Sequence, residues 1–180
     1  MISVQDNFLT QNYFNWLQEY CQQDFKVITV GEKQFLMLLT PKEILHSVQI
    51  PNHEIILSFI RSAHSEFDTD WRIHADNIIL GKKSKLASVL YINKPQDVTT
   101  NGTAFWEHKT YGLSLPKDIS NQDFDKLLLE DSNDLSKWEQ TDFIRNVPNR
   151  FLTYDSNYFH SKYPNKIEKG ERIVLVTFYK

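Results

Sequence analysis

The chain has 180 residues, of which 41% are hydrophobic, 13% aromatic and 24% charged, and its formal net charge is -3. This length is typical of one domain with a substantial core, and the composition excludes a disordered chain. The acidic balance argues against a nucleic-acid partner, because such proteins usually carry a basic excess. The single cysteine, Cys21, excludes an intrachain disulfide and favours a reducing compartment. We expect neither a signal peptide nor a membrane span, and therefore a cytoplasmic protein.

Helical patterns dominate the first 66 residues. Apolar residues at helical spacing predict three helices, over residues 10 to about 22, over a short stretch after Thr40-Pro41-Lys42-Glu43, and over residues 51 to about 63. Thr10 is expected to cap the first helix, and the Thr40 to Glu43 sequence is typical of a capping box. Two extended segments on either side of Gly31, residues 26–30 and 34–39, predict a β-hairpin.

Short segments rich in β-branched and aromatic residues follow, and they predict seven strands. By number, these are residues 71–74, 86–92, 103–107, 138–146, 151–154, 158–161 and 172–179. One helix is predicted among them, at residues 124–130. Helices followed by many short strands are typical of a mostly β protein (α+β), a strand-rich barrel or sandwich with helices packed outside one sheet. We expect one domain, with helical support over about residues 1–66 and a strand-rich core over about 67–180.

The sequence His74-Ala75-Asp76 places an imidazole and a carboxylate two positions apart. On an extended segment, residues i and i+2 face the same side, so both side chains can point into one interior. Two ligands rarely suffice for a divalent metal, and His160, in a late predicted strand, offers a third. Two histidines and one carboxylate form a facial triad with three open coordination positions, an arrangement that suits a non-haem Fe(II) oxygenase.

A competing pattern, His64-Ser65-Glu66, matches the same two-ligand spacing equally well. It lies in a polar stretch without a strand pattern, so we do not expect it to bind the metal. Structural roles are also expected for Cys21 and for three further histidines, His46, His53 and His108. Three aromatic residues, Trp71, Phe105 and Trp106, are expected in the core, and their alternative is to form walls of the site.

Arg172 stands twelve positions after His160 and begins the apolar segment 172–179. A cation at the start of an apolar strand is costly to bury without a counter-charge. It therefore indicates a buried anion, and a dicarboxylate cosubstrate would supply one. The alternative is a surface arginine that pairs with Glu168 or Glu171.

Further short motifs accompany these residues along the chain. They are Ser88-Val89-Leu90-Tyr91-Ile92-Asn93, Asn101-Gly102-Thr103-Ala104-Phe105 and, near the start, Val4-Gln5-Asp6-Asn7-Phe8-Leu9. Together with His74, Asp76, His160 and Arg172, this set resembles the double-stranded β-helix core of the 2-oxoglutarate/Fe(II) oxygenase superfamily. It is most similar to the prolyl-4-hydroxylase-type branch. The resemblance covers most of the chain and implies a cupin-like jelly roll.

The resemblance implies a metal site beside a cosubstrate site. His74, Asp76 and His160 would bind Fe(II), 2-oxoglutarate would chelate the iron through its keto-acid end, and O2 would take the last open position. Arg172 would hold the far carboxylate by charge-assisted hydrogen bonds. The implied activity is a dioxygenase that hydroxylates an unactivated C–H bond, with release of succinate and CO2.

The chain departs from the family pattern in two places. Asn101 replaces the first glycine of the family's Gly-Gly pair. Val174 and Val176 stand where the family often carries a hydroxyl group that contacts the cosubstrate. The resemblance implies that Tyr91 supplies the second contact to the far carboxylate, as the matching tyrosine of the family does. The alternative is a core tyrosine with one partner for its hydroxyl.

The resemblance leaves the substrate open. The branch implies a peptidyl residue of prolyl type, and a free amino acid or another small molecule fits nearly as well. Nucleic acid is not expected, because Phe178 stands where the family's nucleic-acid demethylases carry a second arginine. Asp76 argues against halogenation, since the family's halogenases lack this carboxylate. Two non-catalytic alternatives also stay open, a jelly-roll metal- or ligand-binding module and an iron- or oxygen-sensing partner protein.

Overall fold

The computed structural model describes residues 1–31, 33–67, 72–94 and 101–180, except for the side chain of Asn121. These residues form twelve strands, β1 (Ile2–Gln5), β2 (Lys26–Val30), β3 (Lys33–Leu39), β4 (Ile55–Ala63), β5 (Ile78–Ile79), β6 (Lys82–Lys83), β7 (Leu86–Tyr91), β8 (Gly102–His108), β9 (Trp138–Arg145), β10 (Phe151–Asp155), β11 (His160–Tyr163) and β12 (Arg172–Tyr179). Their helices are α1 (Gln11–Tyr20), α2 (Lys42–Ser47) and α3 (Asn121–Lys126), with a π-helical turn at Leu127–Asp131 and a 3-10 turn at Leu135–Lys137. Within these ranges, no helix has the length and apolar character needed to cross a bilayer.

Two antiparallel sheets carry the architecture. The larger sheet has seven strands in the order β1-β10-β7-β12-β4-β3-β2, and the smaller has three in the order β11-β8-β9. Strands β5 and β6 pair separately as a short hairpin. The expectation of a mostly β protein with helices is confirmed, and so are the predicted strands that correspond to β7, β8, β9, β10 and β12.

Helices α1 and α2 pack on the outer face of the seven-stranded sheet. Phe14 and Leu17 of α1 and Ile44 of α2 lie in one buried cluster with the strand residues Leu90 and Leu175. Burying side chains of this size stabilises the fold by about 1.5–3 kcal/mol each. The predicted position of these helices outside one sheet is confirmed.

Cys21 belongs to the same outer cluster, where it is 5% exposed. Burial raises the pKa of its thiol to about 12, and the nearby charge of Glu171 acts in the same direction. A thiol that stays protonated is a poor nucleophile and a poor metal ligand. The structure therefore agrees with the prediction that Cys21 is inert core.

The inner faces of the two sheets enclose a second cluster and the functional site. Successive side chains of a strand point to opposite faces, and along β12 the alternate residues Arg172, Val174, Val176 and Phe178 line one cavity. On the smaller sheet, His160 of β11 pairs with Phe105 of β8. The site therefore lies between the sheets, opposite the helices.

The helix predicted over residues 51–63 is wrong, because most of this segment forms β4, which pairs with β12 on one side and β3 on the other. Ile60 packs into the outer cluster and Phe59 into the inner one. A strand that is buried on both faces does not alternate apolar and polar residues along its length. Its apolar residues can therefore fall at the spacing expected of a helix. The first 66 residues thus contribute four strands to the large sheet as well as two helices.

Several local predictions near the helices and loops also needed correction. The short helix α2 is confirmed, but its N-cap is Pro41 and the Thr40 hydroxyl instead bonds to the Ser58 hydroxyl at 2.8 Å. Thr10 stands at the N-cap of α1 without a capping hydrogen bond from its side chain. The hairpin β2–β3 is confirmed, with Gly31 at a positive φ of 62°, and Glu32 lies outside the described residues.

Two predicted elements differ in the region that carries the site. Residues 72–74 of the predicted strand 71–74 form only an isolated bridge at His74, while Trp71 lies outside the described residues. The predicted strand 158–161 begins later, at His160.

The predicted helix at 124–130 is present as α3 followed by the π-helical turn. The Ser120 hydroxyl caps α3 by accepting a hydrogen bond from the Asp123 amide at 3.1 Å.

Candidate metal centre

A backbone bridge brings the two histidine segments together. The amide of His74 donates to the carbonyl oxygen of His160 at 3.0 Å, and the amide of His160 donates back to the carbonyl oxygen of His74 at 2.9 Å. The amide of Asp76 donates to the carbonyl oxygen of Ser156 at 2.7 Å. Three backbone hydrogen bonds thus hold the short segment with His74 and Asp76 against the chain that leads into β11.

The side chains of His74, Asp76 and His160 converge from this bridge. One ligand atom from each lies within 4.8 Å of the others. The Nε2 atom of His160 is 3.1 Å from Oδ2 of Asp76, and the Nε2 atom of His74 is 3.6 Å from Oδ1 of the same carboxylate. The structure therefore brings together the three residues that the sequence predicted as ligands.

Both imidazole rings are oriented by backbone carbonyl oxygens. Nδ1 of His74 lies 2.9 Å from the carbonyl oxygen of Arg72, and Nδ1 of His160 lies 2.9 Å from that of Tyr158. A carbonyl oxygen can only accept, so each Nδ1 carries a proton, and an Nε2 without a proton would present its lone pair to the cluster. This is the tautomer and the outer hydrogen bond that metal-bound histidines usually have.

Burial and mutual charge set the protonation of the three groups. Burial, followed by the positive charge of His160, lowers the pKa of His74. Burial raises the pKa of Asp76, but the charge and hydrogen bond of His160 outweigh it, and the net pKa of Asp76 is lowered. For His160, burial lowers the pKa and the charge and hydrogen bond of Asp76 outweigh it in turn, so its net pKa is raised.

Two imidazoles and one carboxylate form a donor set that fits a divalent transition metal. The side chains of Asp76 and His160 are 11% and 7% exposed, whereas that of His74 is 37% exposed. The cluster is therefore open to the adjacent cavity on the His74 side, where exogenous ligands can reach the metal position.

The cavity beside the triad has a volume of about 180 Å³. Its walls are apolar residues of the large sheet, hydroxyl residues and charged residues. They are Phe35, Phe59, Val89, Tyr154, Val174, Val176 and Phe178; Thr103 and Ser161; and Arg61, Arg72, Lys162 and Arg172 with the triad.

Arg172 lies at this cavity with only 6% of its surface exposed. Its Nη2 atom donates to the Thr103 hydroxyl at 3.3 Å, and its guanidinium carbon is 5.7 Å from the centre of the Tyr91 ring. This burial argues against the alternative of a surface arginine. The structure thus places a buried cation in the same cavity as the triad, as the sequence predicted.

Tyr91 lies behind Thr103 and does not line the cavity. Its hydroxyl donates to the carbonyl oxygen of Ile144 at 3.2 Å and lies 2.8 Å from the Thr103 hydroxyl. Because the Tyr91 proton is used on Ile144, the Thr103 hydroxyl donates to Tyr91 and accepts from Arg172. Burial raises the pKa of Tyr91, which keeps this hydroxyl protonated. A direct contact between Tyr91 and a cosubstrate stays a prediction.

The role of Thr103 was missed in the sequence, although it lies inside the motif Asn101 to Phe105. It supplies the hydroxyl beside Arg172 that Val174 and Val176 lack. The available signal was strand alternation, since Thr103 and Phe105 share the inward face of β8. Opposite Thr103, across the β8–β11 pair, stands Lys162.

Three further cations line the cavity, and the sequence predicted no role there for Arg61 or Lys162. Arg72 precedes His74 by two positions and Lys162 follows His160 by two, a spacing that places side chains on one face of an extended chain. Arg61 was hidden by the wrong helix prediction, because its inward direction follows only from β4. All three line the cavity.

The competing and structural residues lie elsewhere. The imidazole of His64 accepts from the amide of Glu66 at 3.3 Å and lies outside the triad. His108 is buried, with Nε2 at 3.2 Å from Asp131 and with Nδ1 accepting from two backbone amides. Trp106 packs in a cluster on the other face of the small sheet, so it is core as expected.

Comparisons with known proteins give a family and a fold. A model of DUF6445, a family of unknown function, matches residues 32–172. No curated protein matches the chain. Among solved structures, the non-haem α-ketoglutarate-dependent carbocyclase SnoK from nogalamycin biosynthesis superposes with a TM-score of 0.66, at 11% identity, over 99% of this chain and 79% of that one.

Two further solved structures cover 99% of this chain at 11% identity. HygX from Streptomyces hygroscopicus, with nickel, 2-oxoglutarate and hygromycin B bound, has a TM-score of 0.56 over 82% of its own chain. A prolyl-4-hydroxylase from Pseudomonas putida has a TM-score of 0.54 over 91% of its chain. At such identities the likeness shows a shared fold, which is the fold of 2-oxoglutarate-dependent oxygenases.

Proposed function

The chain belongs to the DUF6445 family, and from its site we propose that it is an Fe(II)- and 2-oxoglutarate-dependent dioxygenase. The observation that carries the proposal is the His74, Asp76 and His160 cluster, which opens onto a cavity with Arg172 at its wall. We further propose that residues 1–180 form one domain built on a double-stranded β-helix. We also propose a cytoplasmic location, which the single, buried and unpaired cysteine thiol supports.

The three residues would hold Fe(II) by ligand atoms that already lie within 4.8 Å of one another, and the metal would replace the proton on Nε2 of His160. The backbone carbonyls on each Nδ1 fix both rings, and the Asp76 carboxylate supplies the negative charge that favours a divalent cation over a proton. When bound, iron together with 2-oxoglutarate and O2 would supply oxidation of a C–H bond, with release of succinate and CO2.

Arg172 would hold the far carboxylate of 2-oxoglutarate. A guanidinium matches a carboxylate by two parallel hydrogen bonds, and a site with little water strengthens such bonds. In this arrangement Thr103 orients the guanidinium, and Tyr91 contributes by fixing the Thr103 hydroxyl. The apolar residues Val174, Val176 and Phe178 would exclude water from the space between the cation and the triad.

The proposed reaction is hydroxylation of an unactivated C–H bond in a small molecule or a peptidyl residue of prolyl type. The solved structures that share the fold include a prolyl-4-hydroxylase and a carbocyclase from nogalamycin biosynthesis. They differ from one another in activity, so the fold does not set the substrate, which depends on the residues of this cavity.

The test is reconstitution without oxygen. The protein should bind one equivalent of Fe(II), and 2-oxoglutarate should then give a metal-to-ligand charge-transfer absorbance. Admission of O2 should convert 2-oxoglutarate to succinate, at least slowly, and the Asp76→Ala variant should do neither. A parent protein that binds iron but gives neither the absorbance nor succinate would favour a non-catalytic metal-binding module.

A further inference from the structure

Tyr154 is a buried tyrosine in the wall of the cavity beside the triad. It lies on β10, where it pairs with Ala87 of β7, and its side chain belongs to the cluster between the two sheets. Only 2% of the residue is exposed, and it lines the cavity. Tyr154 therefore separates the core from the space in which ligands would bind.

The ring of Tyr154 packs against a residue of the triad. Its centre lies 4.7 Å from the centre of the His160 ring, with 59° between the ring planes. On a second side it meets the Phe105 ring edge-on, at 5.2 Å and 79°. The oxygen of a tyrosine lies in the plane of its ring, so these contacts also fix the direction of the hydroxyl group.

The hydroxyl of Tyr154 has no hydrogen-bond partner among the residues that the structure describes. The hydroxyl groups of the other two buried tyrosines, Tyr91 and Tyr179, each donate to a backbone carbonyl oxygen. A buried hydroxyl normally has such a partner, because an unmade hydrogen bond in the interior destabilises the fold. The Tyr154 hydroxyl keeps contact with accessible space, so a ligand in the cavity can reach it.

Two charges of the cavity act on this phenol. Burial raises the pKa of Tyr154 well above its ordinary value, the negative charge of Asp76 raises it further, and the positive charge of Arg172 lowers it. The hydroxyl is therefore within electrostatic reach of both the metal position and the proposed cosubstrate cation. The larger effect of Asp76 and the ring contact with His160 favour the metal end of the cavity.

We propose that Tyr154 is a second cosubstrate-binding residue, whose hydroxyl donates a hydrogen bond to the carboxylate at the keto-acid end of 2-oxoglutarate. This inference rests on the proposed function. A 2-oxo acid chelates a metal through its keto oxygen and one carboxylate oxygen, so the other carboxylate oxygen is free to accept. A phenol is protonated at neutral pH and can donate. Arg172 would hold the far end of the cosubstrate, and Tyr154 would orient the chelating end.

The experiment compares two metal chelators in the full chain, loaded anaerobically with redox-inert Ni(II). 2-Oxoglutarate has a far carboxylate, whereas oxalate chelates the metal without one. Calorimetry should show that Tyr154→Phe weakens both chelators by a similar factor, about 10- to 100-fold, as expected for loss of a hydrogen bond to a charged group. Arg172→Ala should weaken 2-oxoglutarate and leave oxalate unchanged.

Two further measurements separate this role from a structural one. Because the Tyr154 hydroxyl has no partner among the described residues, metal-free Tyr154→Phe should melt at or above the temperature of the parent. The matched control is Tyr13→Phe on α1, where the side chain is exposed, and it should leave both affinities unchanged. Parent-like affinity of Tyr154→Phe for oxalate would overturn the inference, and so would a loss of affinity accompanied by a lower melting temperature.

The parent protein distinguishes this inference from the proposed function. A parent that binds Ni(II) but neither chelator would contradict the proposed function, and this inference with it. If the parent binds both chelators and Tyr154→Phe binds them equally well, the proposed function stands and the role of Tyr154 is rejected. Weaker binding of 2-oxoglutarate alone would place the Tyr154 contact at the far carboxylate, which contradicts the inference as stated.

Discussion

His74 and His160 exchange both of their backbone hydrogen bonds, at 3.0 and 2.9 Å. The two ligand-bearing segments are therefore joined by the main chain and do not depend on their side chains to meet. The geometry of the proposed metal site is therefore set by the main chain, and removing one imidazole should remove a proposed ligand without separating the segments.

His74→Ala and His160→Ala should each lower Fe(II) affinity by more than about 100-fold, because losing a direct ligand exceeds the 10- to 100-fold effect typical of outer-shell partners. Thermal unfolding of the metal-free proteins should change little for His74→Ala, whose side chain is 37% exposed. Iron content after anaerobic reconstitution and gel filtration measures the first effect. Circular dichroism measures the second.

The matched control is His64→Ala, which removes the histidine of the competing pattern. Its imidazole accepts from the amide of Glu66 and lies outside the triad, so iron content should equal that of the parent. A folded His64→Ala protein without iron, or a His160→Ala protein with a full equivalent, would show that the metal is bound elsewhere.

Arg172→Ala should weaken 2-oxoglutarate binding by about 2–5 kcal/mol, or roughly 30- to 4,000-fold, as for other buried charge pairs that lose one partner. Iron binding should be retained. Arg172→Lys should be intermediate, because lysine keeps the charge and loses the fork. Titration of 2-oxoglutarate into anaerobic Fe(II) protein, followed by charge-transfer absorbance, gives the affinities. Parent-like affinity in a folded Arg172→Ala protein would exclude Arg172 as the anchor.

Thr103→Val removes the hydroxyl between Arg172 and Tyr91 at nearly constant volume. The lost hydrogen bond to a charged donor predicts a roughly 10- to 100-fold weaker affinity for 2-oxoglutarate, with iron binding unchanged. Tyr91→Phe should have a smaller effect if Tyr91 acts only through Thr103. A larger effect of Tyr91→Phe than of Thr103→Val would instead favour direct contact between Tyr91 and the cosubstrate.

Asn93 fixes the chain on both sides of Arg172. Its Nδ2 donates to the carbonyl oxygen of Glu171 at 2.6 Å, and its Oδ1 accepts from the amide of Ile173 at 2.9 Å. Asn93→Ala should lower the free energy of unfolding by about 2–4 kcal/mol, since buried polar groups lose their partners. It should also weaken 2-oxoglutarate binding through the displaced guanidinium. Urea unfolding and the absorbance titration measure the two effects, and parent-like values in both would contradict this positioning role.

Cys21 should resist alkylation in the folded protein at pH 8 and react fully after denaturation. Its pKa is raised from 9.0 to about 12 in the folded state. The unfolded thiol therefore releases its proton first, so its contribution to stability is complete below about pH 9. It declines above that pH by about 1.4 kcal/mol per unit until about pH 12. The difference between the parent and Cys21→Ala, measured by denaturant unfolding at pH 8 and pH 10, should show this decline.

Two of the candidate metal ligands and the buried arginine of the cavity could be predicted from the sequence, because each depends on local spacing. His74 and Asp76 are two positions apart on an extended segment, and Arg172 begins a strand whose apolar pattern is unambiguous. The meeting of His160 with His74 followed from the family resemblance, since no local pattern encodes a contact between segments so distant in sequence.

Other features depended on information that spacing does not contain. Ile60 and Phe59 are apolar on opposite faces of β4, and this two-sided burial made a strand look helical. With that strand misassigned, the inward direction of Arg61 could not be inferred. The choice between Tyr91 and Thr103 as the hydroxyl at the cavity depends on the depth of each side chain between the sheets, which is set by tertiary packing.

The hydrogen bonds from Arg172 through Thr103 and Tyr91 run in one direction and stop at the carbonyl oxygen of Ile144. A carbonyl oxygen has no proton to donate, so this series of hydrogen bonds cannot conduct protons out of the cavity. The guanidinium at its start does not titrate in proteins, and burial keeps the Tyr91 phenol protonated. The inner wall of the cavity therefore carries a permanent positive charge on Arg172, held by hydroxyl groups that do not change protonation. Changes of pH across the physiological range should leave this charge unaltered.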